Sequence, residues 1–70
     1  MQKLVKKLRK KHGLTQEELA AHLGLSQGLW SRIERGLAPM TVVVALKMKK
    51  RLNLDPKDLR AVDLFIEGRS

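Results

Sequence analysis

Closely spaced helix-ending residues are the feature that most constrains this chain. Glycine or proline divides it into short pieces at Gly13, Gly24, Gly36, Pro39 and Pro56. Glycine accepts the left-handed backbone that ends many helices, and proline cannot continue a helix. Apolar residues recur at helical spacing within the pieces, as Leu4, Val5 and Leu8 do in the first. The sequence therefore predicts an all-α fold, a compact bundle of five short helices.

Capping residues indicate where several of these helices begin. Thr15 and Glu18 have the spacing of a capping box, in which each side chain binds the backbone N–H of the other residue, and predict a second helix over 16–23. Ser26 is placed to cap a third helix. Asp55, followed by a proline at the first helical position, predicts the start of the fifth.

The fourth segment is ambiguous by local preference alone. Val42, Val43 and Val44 are β-branched and would suit a strand. No second segment carries a strand signal with which they could pair. The segment 41–52 is therefore predicted to be an amphipathic helix.

A chain of 70 residues is long enough for one domain and too short for two. We expect a single domain over 1–65 and a C-terminal tail over 66–70. The tail contains a Factor Xa cleavage sequence, either a cloning remnant or a chance match, at Ile66, Glu67, Gly68 and Arg69.

The charge balance predicts a polyanionic partner. Fifteen lysines and arginines against seven acidic residues give a formal net charge of +8. The chain contains no cysteine, and no cluster of metal ligands surrounds His12 or His22, so a metal site is not expected. No nucleophile–base set, cofactor motif, membrane-spanning run or signal peptide is evident, so we expect a cytoplasmic protein that is neither an enzyme nor membrane-bound and that needs no cofactor.

The segment 16–35 has the pattern of two helices that cross over a tight bend. Such a pair needs a small residue where the backbones approach, here Ala20, and a glycine at the bend, here Gly24. Apolar residues for the facing sides are Leu19, Leu23, Leu25, Trp30 and Ile33. Together with the basic surface, this pattern predicts a helix-turn-helix, with Trp30 as a core residue and not a platform for stacking bases.

Four stretches are similar to the Cro/repressor family of helix-turn-helix domains: Leu8 and Arg9, the run GLTQEELA over 13–20, the run GLS over 24–26, and the run IERG over 33–36. The similarity covers roughly Leu4 to Leu59. It implies a sequence-specific regulator, most simply a repressor, that binds double-stranded operator DNA as a dimer with its third helix in the major groove. An inverted-repeat operator would match such a dimer.

The resemblance also assigns individual residues. By position, base reading falls to Gln27, Gly28, Ser31 and Arg32. Phosphate binding falls to Thr15, Gln16, Ser26 and Arg35. A buried structural ion pair is implied between Arg9 and Glu34. Arginine and glutamine side chains match the hydrogen-bonding edges of guanine and adenine, which supports two of these assignments.

Two further expectations concern protein partners. Apolar residues late in the chain exceed what a thin core can absorb and predict a homodimer interface at Val62, Leu64 and Phe65. The alternative function is an antitoxin or coactivator-like module that uses the same fold to hold a protein. Apolar Leu29, Leu37 and Val43 leave room for such a contact if they are exposed.

Overall fold

A computed structural model describes residues 2–68, and this part of the chain is helical without any strand. The helices are α1 (Gln2–Lys11), α2 (Gln16–Leu23), α3 (Gln27–Glu34), α4 (Val42–Arg51) and α5 (Pro56–Glu67). The predicted all-α fold with five helices is confirmed over these residues. The chain divides into two compact units, Met1–Met40 and Thr41–Ser70. The single domain over 1–65 stays a prediction.

The helix boundaries in the first unit follow from its caps. The Thr15 hydroxyl accepts from the Glu18 N–H at 3.1 Å, and the Thr15 N–H donates to the Glu18 carboxylate at 2.9 Å. This reciprocal pair is the predicted capping box. At the other end of α2, Gly24 takes a φ of 68°, and its N–H donates to the carbonyls of Ala20 and Ala21. The backbone thus turns at Gly24 and enters α3 within three residues.

The core of the first unit forms where α1 and α2 each pack on α3. Its buried apolar residues are Val5, Leu8, Leu19, Ala20, Leu23, Trp30, Ile33 and Met40. Trp30 is completely withdrawn from solvent, at 0% exposure, which confirms the predicted core position. A residue of this size, fully buried in so small a unit, fixes where α3 lies against its neighbours.

In the second unit, α4 packs against α5. The valine run is helical, and the Thr41 hydroxyl caps it by accepting from the Val44 N–H at 3.2 Å. Asp55 caps α5 in the same way, accepting from the Asp58 N–H at 2.9 Å. An ion pair of 2.6 Å joins Lys49 on α4 to Asp63 on α5. Buried apolar residues in this unit are Val44, Ala45, Met48, Leu52 and Val62.

One expectation for the C-terminal part needs revision. Val62 is 0% exposed, so it belongs to the buried interior, and its assignment to a dimer interface is wrong. The helix α5 ends at Glu67. The last residue of the Factor Xa sequence, Arg69, lies outside the described residues.

No helix between residues 2 and 68 combines the length and the apolar character needed to cross a membrane.

Candidate nucleic-acid interface

The helix α3 has two distinct sides. Trp30, Ile33 and Glu34 are buried on the side that faces the core. The residues predicted to read bases lie on the other side, where Ser31 is half-buried and three are exposed: Gln27, Gly28 and Arg32. Residues three or four apart on a helix are surface neighbours, so these four form one continuous patch. We call this patch the α3 outer face.

An ion pair anchors the end of α3 to α1. Arg9 Nε lies 2.6 Å from Glu34 Oε2, and Arg9 Nη2 lies 3.1 Å from Glu34 Oε1. The side chains are 13% and 2% exposed, so the ion pair implied by the family resemblance is present and largely buried. The third guanidinium nitrogen, Nη1, donates to the Leu14 carbonyl at 2.9 Å. The planar guanidinium therefore binds two elements at once, the loop after α1 and the end of α3.

The Glu34 carboxylate is the centre of a wider network. Gln16 Nε2 donates to its Oε1 at 3.2 Å, and the indole N–H of Trp30 donates to its Oε2. Burial raises the pKa of Glu34, but the hydrogen bonds from Arg9, Gln16 and Trp30 outweigh that effect and hold the pKa below its ordinary value. One carboxylate thus connects α1, α2 and α3 and stays ionised at neutral pH.

The four residues predicted to bind phosphate all occur at helix ends. Thr15 and Ser26 are the N-caps of α2 and α3, Gln16 is the first residue of α2, and Arg35 is the exposed C-cap of α3. The Ser26 hydroxyl accepts from the Leu29 N–H at 3.1 Å. A capping hydroxyl uses its oxygen as the acceptor, so the O–H proton of Thr15 or Ser26 can still be donated to an anion.

Gln16 differs from the simple expectation of a phosphate contact. Its side-chain amide is already engaged with Glu34. Its backbone N–H lies at the first position of α2, where helix amides have no acceptor within the helix and the helix dipole favours an anion. In this arrangement the side chain positions α2 against Glu34, and the backbone is the better candidate for a phosphate.

Gly28 has no structural requirement within the protein. A Cβ atom built there meets nothing within 4 Å, and the backbone of this residue is not in the left-handed region. Glycine inside a helix destabilises it by about 0.5–1 kcal/mol relative to alanine. Glycine at this position therefore does not stabilise the fold. The missing side chain matters only for a molecule that binds the α3 outer face.

Sequence reasoning did not anticipate several parts of this site. It did not place Gln16, Leu14 or the Trp30 indole on the Arg9–Glu34 pair. The Gln16 contact depends on tertiary placement and leaves no periodic signal in the sequence. Trp30 and Glu34 lie four residues apart on α3, and this helical spacing is the signal that could have indicated their contact. Among residues 2–68, no cluster of three or more histidine or acidic side chains is arranged to hold a metal ion.

Comparison with known proteins agrees with this geometry. No curated protein and no solved structure matches the chain significantly. The family model described as "Helix-turn-helix domain" matches residues 3–62, which is most of the chain. The match includes the capped helix α2, the turn at Gly24 and the helix α3 with its buried and exposed sides. On this basis, the chain belongs to the helix-turn-helix domain family.

Proposed function

We propose that this protein is a sequence-specific transcriptional regulator, a repressor, that binds an inverted-repeat operator as a homodimer in the cytoplasm. Family membership supports DNA binding, and helix-turn-helix domains are typically not enzymes. The observation that carries the proposal is the α3 outer face. It presents polar side chains on a helix whose opposite side is fixed by Trp30 and by the Glu34 network.

The side chains on this face suit direct reading of base pairs in the major groove. Arg32 can donate two hydrogen bonds to guanine O6 and N7, and Gln27 can bind adenine N6 and N7 in a bidentate manner. Ser31 can donate or accept at either kind of base pair. Gly28 contributes no side chain and allows the helix backbone to approach the edge of the DNA.

Around this face, groups at helix ends suit the phosphate backbone. The N-terminus of α2, with Thr15 and Gln16, offers backbone amides and a hydroxyl, and Ser26 offers the same at α3. Arg35 adds a positive charge at the far end of α3. Such contacts set the orientation of a protein on the duplex and carry no sequence information themselves.

A matched pair of arginine variants tests the assignment. Selection from a random DNA pool first provides the preferred operator, which should be an inverted repeat. Arg32→Ala should then weaken operator binding by about 1–3 kcal/mol and relax selectivity at one base pair in each half-site, because the bidentate hydrogen bonds to a base are removed. Arg35→Ala is the control: it should weaken binding to operator and random duplex alike and reduce the salt dependence.

The experiment has a clear negative outcome. If Arg32→Ala weakens binding to both duplexes equally, Arg32 binds phosphate and the α3 outer face does not read sequence. If the pool yields no enriched sequence at all, the proposal of a sequence-specific regulator is wrong.

The second candidate is the antitoxin or coactivator-like module that holds a protein partner. The observation in its favour is the exposure of apolar side chains. Leu37 and Val43 are 68% and 61% exposed, and Leu29 on α3 is half-buried. Exposed apolar residues of this size are suitable for a protein contact. Leu37→Ser should leave operator binding intact if the protein acts through DNA alone.

A further inference from the structure

One side of α1 consists of lysines. They follow the spacing i, i+3, i+4, i+7 and i+8, which places them on one side of a helix: Lys3, Lys6, Lys7, Lys10 and Lys11. All five are exposed, and they line one open depression with a volume of about 660 Å³. We call this surface the α1 lysine face. No acidic residue occurs within α1 to offset its charge.

The α1 lysine face points away from α3. On the opposite side of α1, Val5 and Leu8 are 0% and 1% exposed and form part of the core in which α1 packs on α3. The body of α1, about 10 Å across, therefore lies between the lysines and α3. The α3 outer face is likewise turned away from that core. The lysines consequently point away from a straight duplex that binds the α3 outer face.

The chemistry of the α1 lysine face fits the backbone of a nucleic acid duplex. Among the residues that the structure describes, Lys3, Lys6, Lys7 and Lys10 have no carboxylate partner. The five lysines span about 12 Å along the helix, and each DNA strand offers a phosphate about every 3.4 Å along its axis. Lysine is a mobile point charge without the fork that reads guanine, so this face would bind phosphates without selecting sequence.

A membrane surface fits less well. A helix that lies on a bilayer inserts an apolar side among the lipids. The apolar side of α1 is occupied in the core, because Val5 and Leu8 are buried. The charge complementarity of an exposed lysine face with a buried apolar side therefore favours a nucleic acid over a lipid surface.

We propose that the α1 lysine face is a second DNA-binding surface that holds another duplex segment without regard to sequence. A protein bound to its operator through the α3 outer face then bridges that site to a second stretch of DNA. This second surface goes beyond the proposed regulator function and consists of residues that the function does not use.

The test uses the full chain, an immobilised operator duplex and a radiolabelled random duplex. The test variant replaces four lysines of the α1 lysine face with glutamine, at Lys3, Lys6, Lys7 and Lys10. A control variant with the same reduction of charge replaces four exposed basic residues of α4 and α5 with glutamine, at Lys50, Arg51, Lys57 and Arg60. Circular dichroism establishes that both variants keep the parent's helix content before binding is measured.

The parent and the control variant should capture the random duplex on operator-bound protein. The test variant should still hold the operator but capture about tenfold less random duplex, because four phosphates are no longer neutralised. For the random duplex, the slope of log K against log salt should also fall, by up to about 0.9 for each of these phosphates. If the test variant captures as much as the control, or if random duplex displaces the operator one for one, the second surface does not exist.

A separate arm makes the result independent of the proposed function. Arg32→Ala lacks the side chain proposed to read a base, so its binding to random duplex reports on the remaining surfaces. Loss of this binding when the four lysines are also replaced supports the α1 lysine face even if no operator is found. If Arg32→Ala binds random duplex equally well with the four lysines present and with them replaced, the α1 lysine face is not a DNA-binding surface. The proposal is also contradicted if the parent binds vesicles of anionic lipid and captures no second duplex.

Discussion

Glu34 helps to fix the placement of α3, because its buried carboxylate accepts hydrogen bonds from three side chains. Removing one partner of a buried ion pair costs about 3–5 kcal/mol, since the remaining charge stays buried. We expect Arg9→Ala to lower the free energy of unfolding by about this amount. Lys10→Ala, at the exposed neighbouring position, should change it by less than about 0.5 kcal/mol. Equal thermal melts for the parent and Arg9→Ala would contradict the structural role of the pair.

The same pair should make stability depend on pH. The pKa of Glu34 lies below its ordinary value of 4.5, so the ionised form is the one that the fold stabilises. The contribution is complete above about pH 4.5 and disappears as the pH falls through the lower pKa of the folded state. The difference in unfolding free energy between the parent and Arg9→Ala should therefore be constant near neutrality and shrink in acid. A difference that grows in acid would show that Glu34 is stabilised in its protonated form.

Gly28 offers a test in which stability and binding should change in opposite directions. Because a Cβ there meets nothing, Gly28→Ala should raise the free energy of unfolding by about 0.5–1 kcal/mol through helix preference. If the DNA edge lies against the helix backbone, the added methyl group should weaken operator binding. The control is Ala21→Gly on the exposed side of α2, which should lower stability and leave operator binding by the folded protein unchanged. Unchanged operator binding by Gly28→Ala would show that Gly28 does not lie at the interface.

At the scale of single residues, the sequence predicts which residues are structurally important better than it predicts their hydrogen-bond partners. The family resemblance implies the Arg9–Glu34 pair, and the inward position of Trp30 follows from helical spacing. The hydrogen bond from Gln16 to Glu34 could not be predicted, because it joins residues 18 positions apart whose approach is decided only by packing. The assignment of Val62 fails for the same reason: an apolar residue near the chain end looks similar whether it is buried or exposed.

Helix α3 shows how an element depends on its surroundings. It has eight residues, and isolated helices shorter than about 12–15 residues are marginal in water. Its stability must come from packing, and Trp30 is its largest buried residue. Trp30→Ala should cost about 3–5 kcal/mol and unfold or severely loosen the first unit, with DNA binding abolished as a consequence.

Trp30→Phe separates the two contributions of the indole. It keeps an aromatic ring in the core and removes the N–H that binds Glu34, so it should cost less than Trp30→Ala. Urea titrations of both variants measure the difference. If Trp30→Ala keeps a native melt and loses DNA selectively, Trp30 belongs to the DNA-binding surface.

Helix boundaries are the most predictable part of the fold. The start of α2 at Gln16 and of α5 at Pro56 follows from capping side chains that act within three residues of themselves. The valine run in α4 is helical against its local preference, which shows packing on α5 overriding β propensity. The end of α5 is less predictable, since nothing in Ile66 and Glu67 forbids another half turn.

For the whole molecule, few exposed apolar residues are available for the proposed assembly. With Val62 excluded, the proposed homodimer rests on Leu64, which is 51% exposed, and on half-buried Phe65. Leu64→Lys should convert the protein to a monomer in sedimentation and reduce cooperative binding to an operator whose half-sites lie about 10–10.5 bp apart. Leu46→Lys, at a residue of α4 that is 50% exposed, is the matched control and should remain dimeric. A parent protein that is monomeric both free and on DNA would rule out the dimer.

Trp30 also gives the protein a built-in optical probe. The chain contains one tryptophan and no tyrosine, so ultraviolet-excited emission near the indole band comes from the unit Met1–Met40 alone. The helices α4 and α5 contribute no emission in this band, whereas circular dichroism reports the helix content of all five helices. Emission and dichroism followed on one heating ramp should coincide if the two units unfold as one cooperative transition, and separate if each unfolds by itself.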